Sequence, residues 1–220
     1  MIESNLKWHP YVGSYYHKGI DGLKVLIIGE SHYKKPGSKA DRIAADPHFT
    51  IKIVKEMGEM KEYDDIKMFK NFHMTMVGSD EFDHSRFWKG LSFYNFIQRA
   101  MDSNKGRPNK EDYLNGWSVF PKVIQELSPD ICIFIGVKAY DFMKRQIKKE
   151  SEVHILKSIK SRDKISNTYP RYAKINCSGK VVDAYFIRHT SKYYSWRKWR
   201  SFLFSSIPEL MAKWSEMNQK

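Results

Sequence analysis

The sequence predicts an α/β fold: a mostly parallel sheet with helices on both faces. Lys24 to Ile28 and Ile131 to Ile135 are short, almost wholly apolar runs that end in Gly29 and Gly136, the pattern of strands covered on both sides. Other stretches space their apolar residues three or four apart, as amphipathic helices do. Strands alternating with helices build parallel units whose ligands bind beyond the carboxyl ends of the strands.

The elements follow in chain order. Phe49 to Lys61 carries Ile51, Val54, Met57 and Met60 at helical spacing. Trp117 to Leu127 places Val119, Val123, Ile124 and Leu127 on one side, and Pro129 stops that helix before the second strand. Val137 to Ile147 reads as a further helix with Ala139, Tyr140, Met143 and Ile147 on its apolar face. The stretch YAKINCSGKVVDAYFI alternates on both sides of Ser178-Gly179, which signals a hairpin with a glycine turn. From Tyr194 the chain is helical in character, and Pro208 ends or kinks that helix.

At 220 residues the chain is expected to be one domain, 1–220, with a core large enough to need no staple. Aromatic residues make up 15% and hydrophobic residues 41%, which excludes a disordered chain. Lys and Arg number 38 against 25 Asp and Glu, a net charge of +13 that biases the molecule toward polyanions. A solubility charge spread over solvated faces is the rival explanation. Cys132 and Cys177 form no C-x-x-C, and the histidines show no metal-binding spacing, so neither a disulfide framework nor a metal site is expected. No apolar run has the length of a membrane span and no signal region opens the chain; a cytoplasmic protein is expected.

Two strand ends are chemically loaded. VLIIGESHY delivers Glu30, Ser31, His32 and Tyr33, and the arm Val181 to Ile187 leads into Arg188-His189-Thr190-Ser191. Glu30 can act as a base or orient water, His32 and His189 can exchange protons near neutral pH, and Tyr33 can stack on a flat ligand. In FWKGLSFYNFIQRAM, Asn95 offers a donor and an acceptor suited to a base edge beside the stacking face of Phe93. Taken singly, each histidine is more often structural and Phe93 more often core. Lys34 and Lys35 follow the first segment, and Ser191, Lys192 and Arg197 belong to or follow the second, where phosphate contacts would hold a backbone while a base enters.

These segments resemble motifs of the uracil-DNA glycosylase superfamily. GESHY is similar to its first motif, in both the Gly-Gln-Asp-Pro-Tyr and the Gly-Glu-Ala-Pro-Gly forms, with Glu30 on the acid of the latter and Tyr33 on the tyrosine of the former. SFYNFI, with Asn95, looks like the middle asparagine segment, and LSPDICIFIGVKAYDFM like the strand and glycine that precede a helix. RHTSKYYSWRKW looks like the last motif, with His189 on its histidine and Ser191 on its serine. Ser31 stands where the best-known branch has its water-activating Asp, and the cluster-binding cysteines of other branches are missing.

The resemblance implies a three-layer α/β/α sandwich around a central, mostly parallel four-stranded sheet. It implies a monomeric DNA glycosylase of base-excision repair, which flips a damaged or modified base, uracil or a relative, into a pocket and hydrolyses its glycosidic bond. Glu30 and His189 would be catalytic, with Ser31 beside them; Tyr33, His32, Phe93 and Asn95 would bind the base. DNA would be the partner, with no cofactor, metal or iron–sulfur cluster. Two rival readings stand beside it: a DNA-binding module that cuts nothing, and a hydrolase with Ser31 as nucleophile.

Overall fold

A computed structural model of the chain describes residues 6–33, 45–62, 66–103, 106–147, 153–191 and 193–217. Its frame is one seven-stranded mixed sheet: β1 (Tyr11–Val12), β2 (Val25–Gly29), β3 (Leu91–Asn95), β4 (Ile131–Ile135), β5 (Val153–Lys160), β6 (Arg171–Cys177) and β7 (Lys180–Ile187), in the order β1-β3-β2-β4-β7-β6-β5. The α/β class is therefore as expected, and a sheet of only four strands is not. The inner strands β3, β2, β4 and β7 run parallel, whereas β1, β6 and β5 are antiparallel to their neighbours.

Seven α-helices accompany the sheet among the described residues: α1 (Phe49–Ile53), α2 (Lys67–Met76), α3 (His84–Lys89), α4 (Lys110–Leu127), α5 (Lys138–Ile147), α6 (Trp196–Ser206) and α7 (Pro208–Glu216). A π turn, Val54–Glu59, continues α1. Side chains alternate across β2: Val25 and Ile27 enter a core with Phe72, Trp88, Trp199 and Trp214, while Leu26 and Ile28 enter a second core with Trp117, Phe120 and Phe134. Both faces of the sheet are therefore covered, which is why these strands read as unbroken apolar runs.

Helix ends follow local chemistry. Asn109 caps α4 through its side chain while the Asp112 carboxylate returns to the Asn109 N–H, a reciprocal capping box. Pro208 occupies the first turn of α7, where its missing N–H costs nothing, so the break after α6 falls where expected. Five of the six tryptophans are almost wholly buried; the sixth, Trp196, opens α6 half-exposed. No helix among the described residues is long and apolar enough to cross a membrane.

Candidate active site

The four parallel strands end side by side, so Asn95, Glu30, Gly136 and His189 follow one edge of the sheet. The chain leaves β2 toward β3 on one side and leaves β4 toward β7 on the other. The crevice between β2 and β4 is thus the switch point at which such sheets bind ligands. A hollow lies there, lined by Glu30, Phe96, Tyr113, Phe134, Gly136 and Ala139; at about 10 Å³ it has the room of one water molecule.

The segment after β2 is stitched to the segment after β3. Phe96 N–H donates to the Gly29 carbonyl at 2.9 Å, Ile97 N–H to Glu30 at 3.0 Å, and Met101 N–H to His32 at 2.8 Å. Tyr33 forms a short parallel bridge with Met101. Glu30 is therefore held by backbone on both sides. Its carboxylate accepts a hydrogen bond from the Tyr113 hydroxyl at 2.8 Å. Tyr113 is aimed by its neighbour: Asp112 is gripped by Arg99 Nε and Nη2, at 2.9 and 2.7 Å, and belongs to the α4 cap. The Tyr113 ring stacks on Phe142 at 5.1 Å.

His189 arrives from β7, two strands from β2, and the strand between them ends in glycine. Gly136 has φ +147°, a conformation that L side chains rarely adopt, and a Cβ there would come within 3.8 Å of Glu30 Oε1. The missing side chain leaves the space beside the Glu30 carboxylate open, and that carboxylate is near enough for its charge to act on the His189 ring. Burial pushes the His189 imidazole below its ordinary value, the Glu30 carboxylate pulls it up and Arg107 pushes it down, with a net lowering. The ring is thus neutral at pH 7, able to donate one hydrogen bond. Burial, and then the Glu30 charge, raise the Tyr33 and Tyr113 phenols, so both remain protonated.

Other sequence candidates lie elsewhere. Gly29 faces the opposite side from Glu30, and Phe93 and Asn95 lie across it: a Cβ at Gly29 would meet Asn95 Oδ1 at 2.3 Å and Phe93 Cζ at 2.7 Å. Phe93 is buried in the core beside Trp88, and Asn95 is 4% exposed. The structure therefore brings Glu30, Tyr33 and His189 together and sets Phe93 and Asn95 beneath them. His32 is buried with Nε2 at 2.9 Å from Thr50 Oγ1, between Trp8 and Phe49, and burial pushes it down to about 4. Ser31 Oγ donates to the Arg99 carbonyl, so it has no base partner there.

The loop after β7 is held by Asn71 of α2, whose amide donates to the Thr190 and Ser191 carbonyls at 2.9 and 3.2 Å. Arg197 is exposed, its guanidinium over the Trp196 ring at 4.4 Å. Arg200 points the other way, donating to the Thr75 and Met76 carbonyls at the end of α2. Lys34, Lys35 and Lys192 lie outside the described residues. Tyr113, Arg107 and Tyr193 escaped sequence reasoning. Tyr193 is 87% exposed at φ +58°, an aromatic presented to solvent four residues after His189.

A second polar cluster, His73, Asp80 and His84, has ligand atoms within 4.8 Å of one another. Its hydrogen bonds argue for a brace instead of a metal site. Trp88 Nε1 donates to His73 Nε2 at 3.0 Å, which leaves the proton on Nδ1, 3.5 Å from the Asp80 carboxylate. A metal at Nδ1 would have to displace that proton while Nε2 still faced an N–H. Lys61 Nζ already stands 3.8 Å from the same carboxylate.

No protein-family model matches the chain, and no curated protein matches its sequence. The functional reading therefore rests on residues and geometry.

Proposed function

We propose that the chain is a DNA glycosylase that hydrolyses the N-glycosidic bond of a flipped, damaged or modified base. The observation that carries this is the Glu30 carboxylate at the hollow of the switch point, oriented by Tyr113, with His189 near enough on the same sheet edge to feel its charge. Glu30 accepts a proton from water as that water's oxygen bonds to the sugar C1′, and its negative charge supports the cationic sugar of the transition state. The glycosidic electron pair leaves with the base, where neutral His189 donates a hydrogen bond to the developing charge. The hollow suits the attacking water; the base lies outside it, against Tyr33.

Flipping a base leaves a gap in the stack, and inserted side chains commonly fill such gaps. Tyr193 is exposed in the right loop for that part, and the net charge of +13 favours the polyanion. No metal or organic cofactor enters the scheme, and a soluble monomer acting in repair accords with it. The three-layer, glycosylase-like form of the sheet belongs to the same proposal.

The test is incubation with duplex and single-stranded DNA carrying uracil, hypoxanthine, xanthine or modified cytosines, followed by alkaline cleavage. Abasic product that disappears in Glu30→Gln and His189→Ala is expected. Absence of product from every substrate overturns the enzyme. The small hollow favours one second reading, a module that binds DNA without excision; salt-dependent DNA binding with no base release would select it. A Ser31 hydrolase has less support, given that hydroxyl's bond to a carbonyl.

A further inference from the structure

The arm β5–β6 is inserted between two site-bearing strands, β4 and β7, and its turn returns to the edge that carries the site. Arg171 at the start of β6 pairs with Phe186 near the end of β7, and Lys160 at the end of β5 pairs with Arg171. Residues 161–170 therefore extend the edge bearing Glu30 and His189. Strands lie about 4.8 Å apart, so the end of β5 stands about 10 Å from the end of β7. That distance spans about three nucleotides of one DNA strand.

The charge on this arm is concentrated. Among the eight residues 157–164, Lys157, Lys160, Arg162 and Lys164 are basic and Asp163 alone is acidic. All four cations are exposed, and none has a carboxylate within ion-pairing distance among the described residues. Cations on β6 and β7 are paired instead: Arg171 with Asp141, Lys174 with Asp183 and Lys180 with Asp130. Lys160 and Lys164 both approach the Tyr169 ring, at 4.4 and 5.1 Å, so one aromatic ring gathers two ammonium groups.

The turn is also built to hold its shape. Ile165 and Thr168 exchange backbone hydrogen bonds at 2.8 and 3.0 Å around Ser166 and Asn167, whose φ of +45° and +64° make the tight turn that matches strand twist. Ser161 N–H donates to the Pro170 carbonyl at 2.9 Å. Arg188, next to His189, donates to the Ser166 carbonyl at 2.7 Å and ties the turn to the site loop. A rigid display of unpaired cations loses little entropy when it meets a rigid polyanion.

We propose that this turn and the end of β5 form a contact surface for the phosphodiester backbone of DNA flanking the site, with Lys160, Arg162 and Lys164 as the phosphate contacts. The inference rests on the nucleic-acid part of the reading above, not on its chemistry. An edge strand protected by lysines against pairing with another sheet is the competing explanation for Lys157, but it does not account for cations on the turn.

The test compares the full chain with the triple variant Lys160→Gln, Arg162→Gln, Lys164→Gln and with the single reversal Lys164→Glu. A control carries Lys18→Gln, Lys122→Gln and Lys180→Gln at the opposite edge. Affinity for a fluorescent 20-mer duplex and its single strand is measured across salt concentrations, with thermal midpoints as the check on folding. For the triple variant, the slope of log affinity against log salt is expected to fall by about two to three, with about tenfold or greater weakening, while the control moves less. Equal binding by wild type and triple variant overturns this surface and leaves the site reading standing. Wild type that binds no DNA at low salt overturns both. Loss of binding to anionic lipid vesicles with DNA binding unchanged also overturns it. Where abasic product forms, the triple variant should raise KM and leave kcat unchanged.

Discussion

Gly29→Ala strikes the floor of the site without touching its reacting groups. The added Cβ would lie 2.3 Å from Asn95 Oδ1, about 0.7 Å inside the 3.0 Å that real Cβ atoms keep, and 2.7 Å from Phe93 Cζ. Both neighbours are almost wholly buried, so neither swings into solvent to make room. Overpacking of this kind costs about 1–3 kcal/mol, and two simultaneous clashes place the expectation at the upper end. For a chain of this length that lowers the unfolding midpoint by about 5–10 °C. Urea and thermal unfolding of Gly29→Ala, Asn95→Ala and the double variant form a cycle. Removing the amide relieves the tighter clash, so the two changes should be coupled by about 1 kcal/mol or more. Additive effects, or a Gly29→Ala protein as stable as wild type, would refute the packing of Asn95 and Phe93 on Gly29.

Burial holds His32 and His73 at about 4 against an ordinary 6.5. Between those values the unfolded chain binds more protons than the folded one, so stability is complete above pH 6.5 and falls toward pH 4, by about 3 kcal/mol for each ring; urea midpoints across that range check it, and a flat profile would refute it. Tyr113→Phe removes a donor to the Glu30 carboxylate, a charge-assisted bond of about 1.5–3 kcal/mol, and should lower kcat about tenfold or more with KM little changed. Gly136→Ala puts a Cβ at φ +147° beside Glu30 Oε1; reduced stability is expected, with a displaced His189 titration by NMR because the Glu30 charge acts on that ring. Ser31→Ala loses a bond to the Arg99 carbonyl, about 1 kcal/mol of stability, and should keep abasic-product formation and show no change in fluorophosphonate labelling.

The central strands were legible because a strand buried on both faces needs apolar residues at every position, as Val25 to Ile28 and Ile131 to Ile135 have. β3 was missed: LSFYN mixes polar and apolar residues, and its register is set by β2, more than sixty residues earlier. β5 was missed because an edge strand with exposed Lys157 and Lys160 has no burial pattern to display. Helix α4 begins at Lys110, ahead of the expected Trp117; its capping signal, Asn109 with Asp112, stood in the sequence unused. At the site, Glu30, Tyr33 and His189 announced themselves as polar residues following apolar strands. Tyr113 did not, because its part depends on a contact with Glu30, 83 residues away in the chain. Strand alternation at the end of β3 cannot be phased without its partner, so the burial of Asn95 and Phe93 against Gly29 is not legible in the sequence.

The placement of the tryptophans supplies an optical probe. Trp8, Trp88, Trp117, Trp199 and Trp214 are sealed in the cores, so long-wavelength emission and accessibility to iodide belong mainly to Trp196. That indole opens α6, five residues beyond Ser191, beneath the Arg197 guanidinium. A ligand settling on the loop after β7 will change the emission of this one indole, with no label attached and no residue replaced.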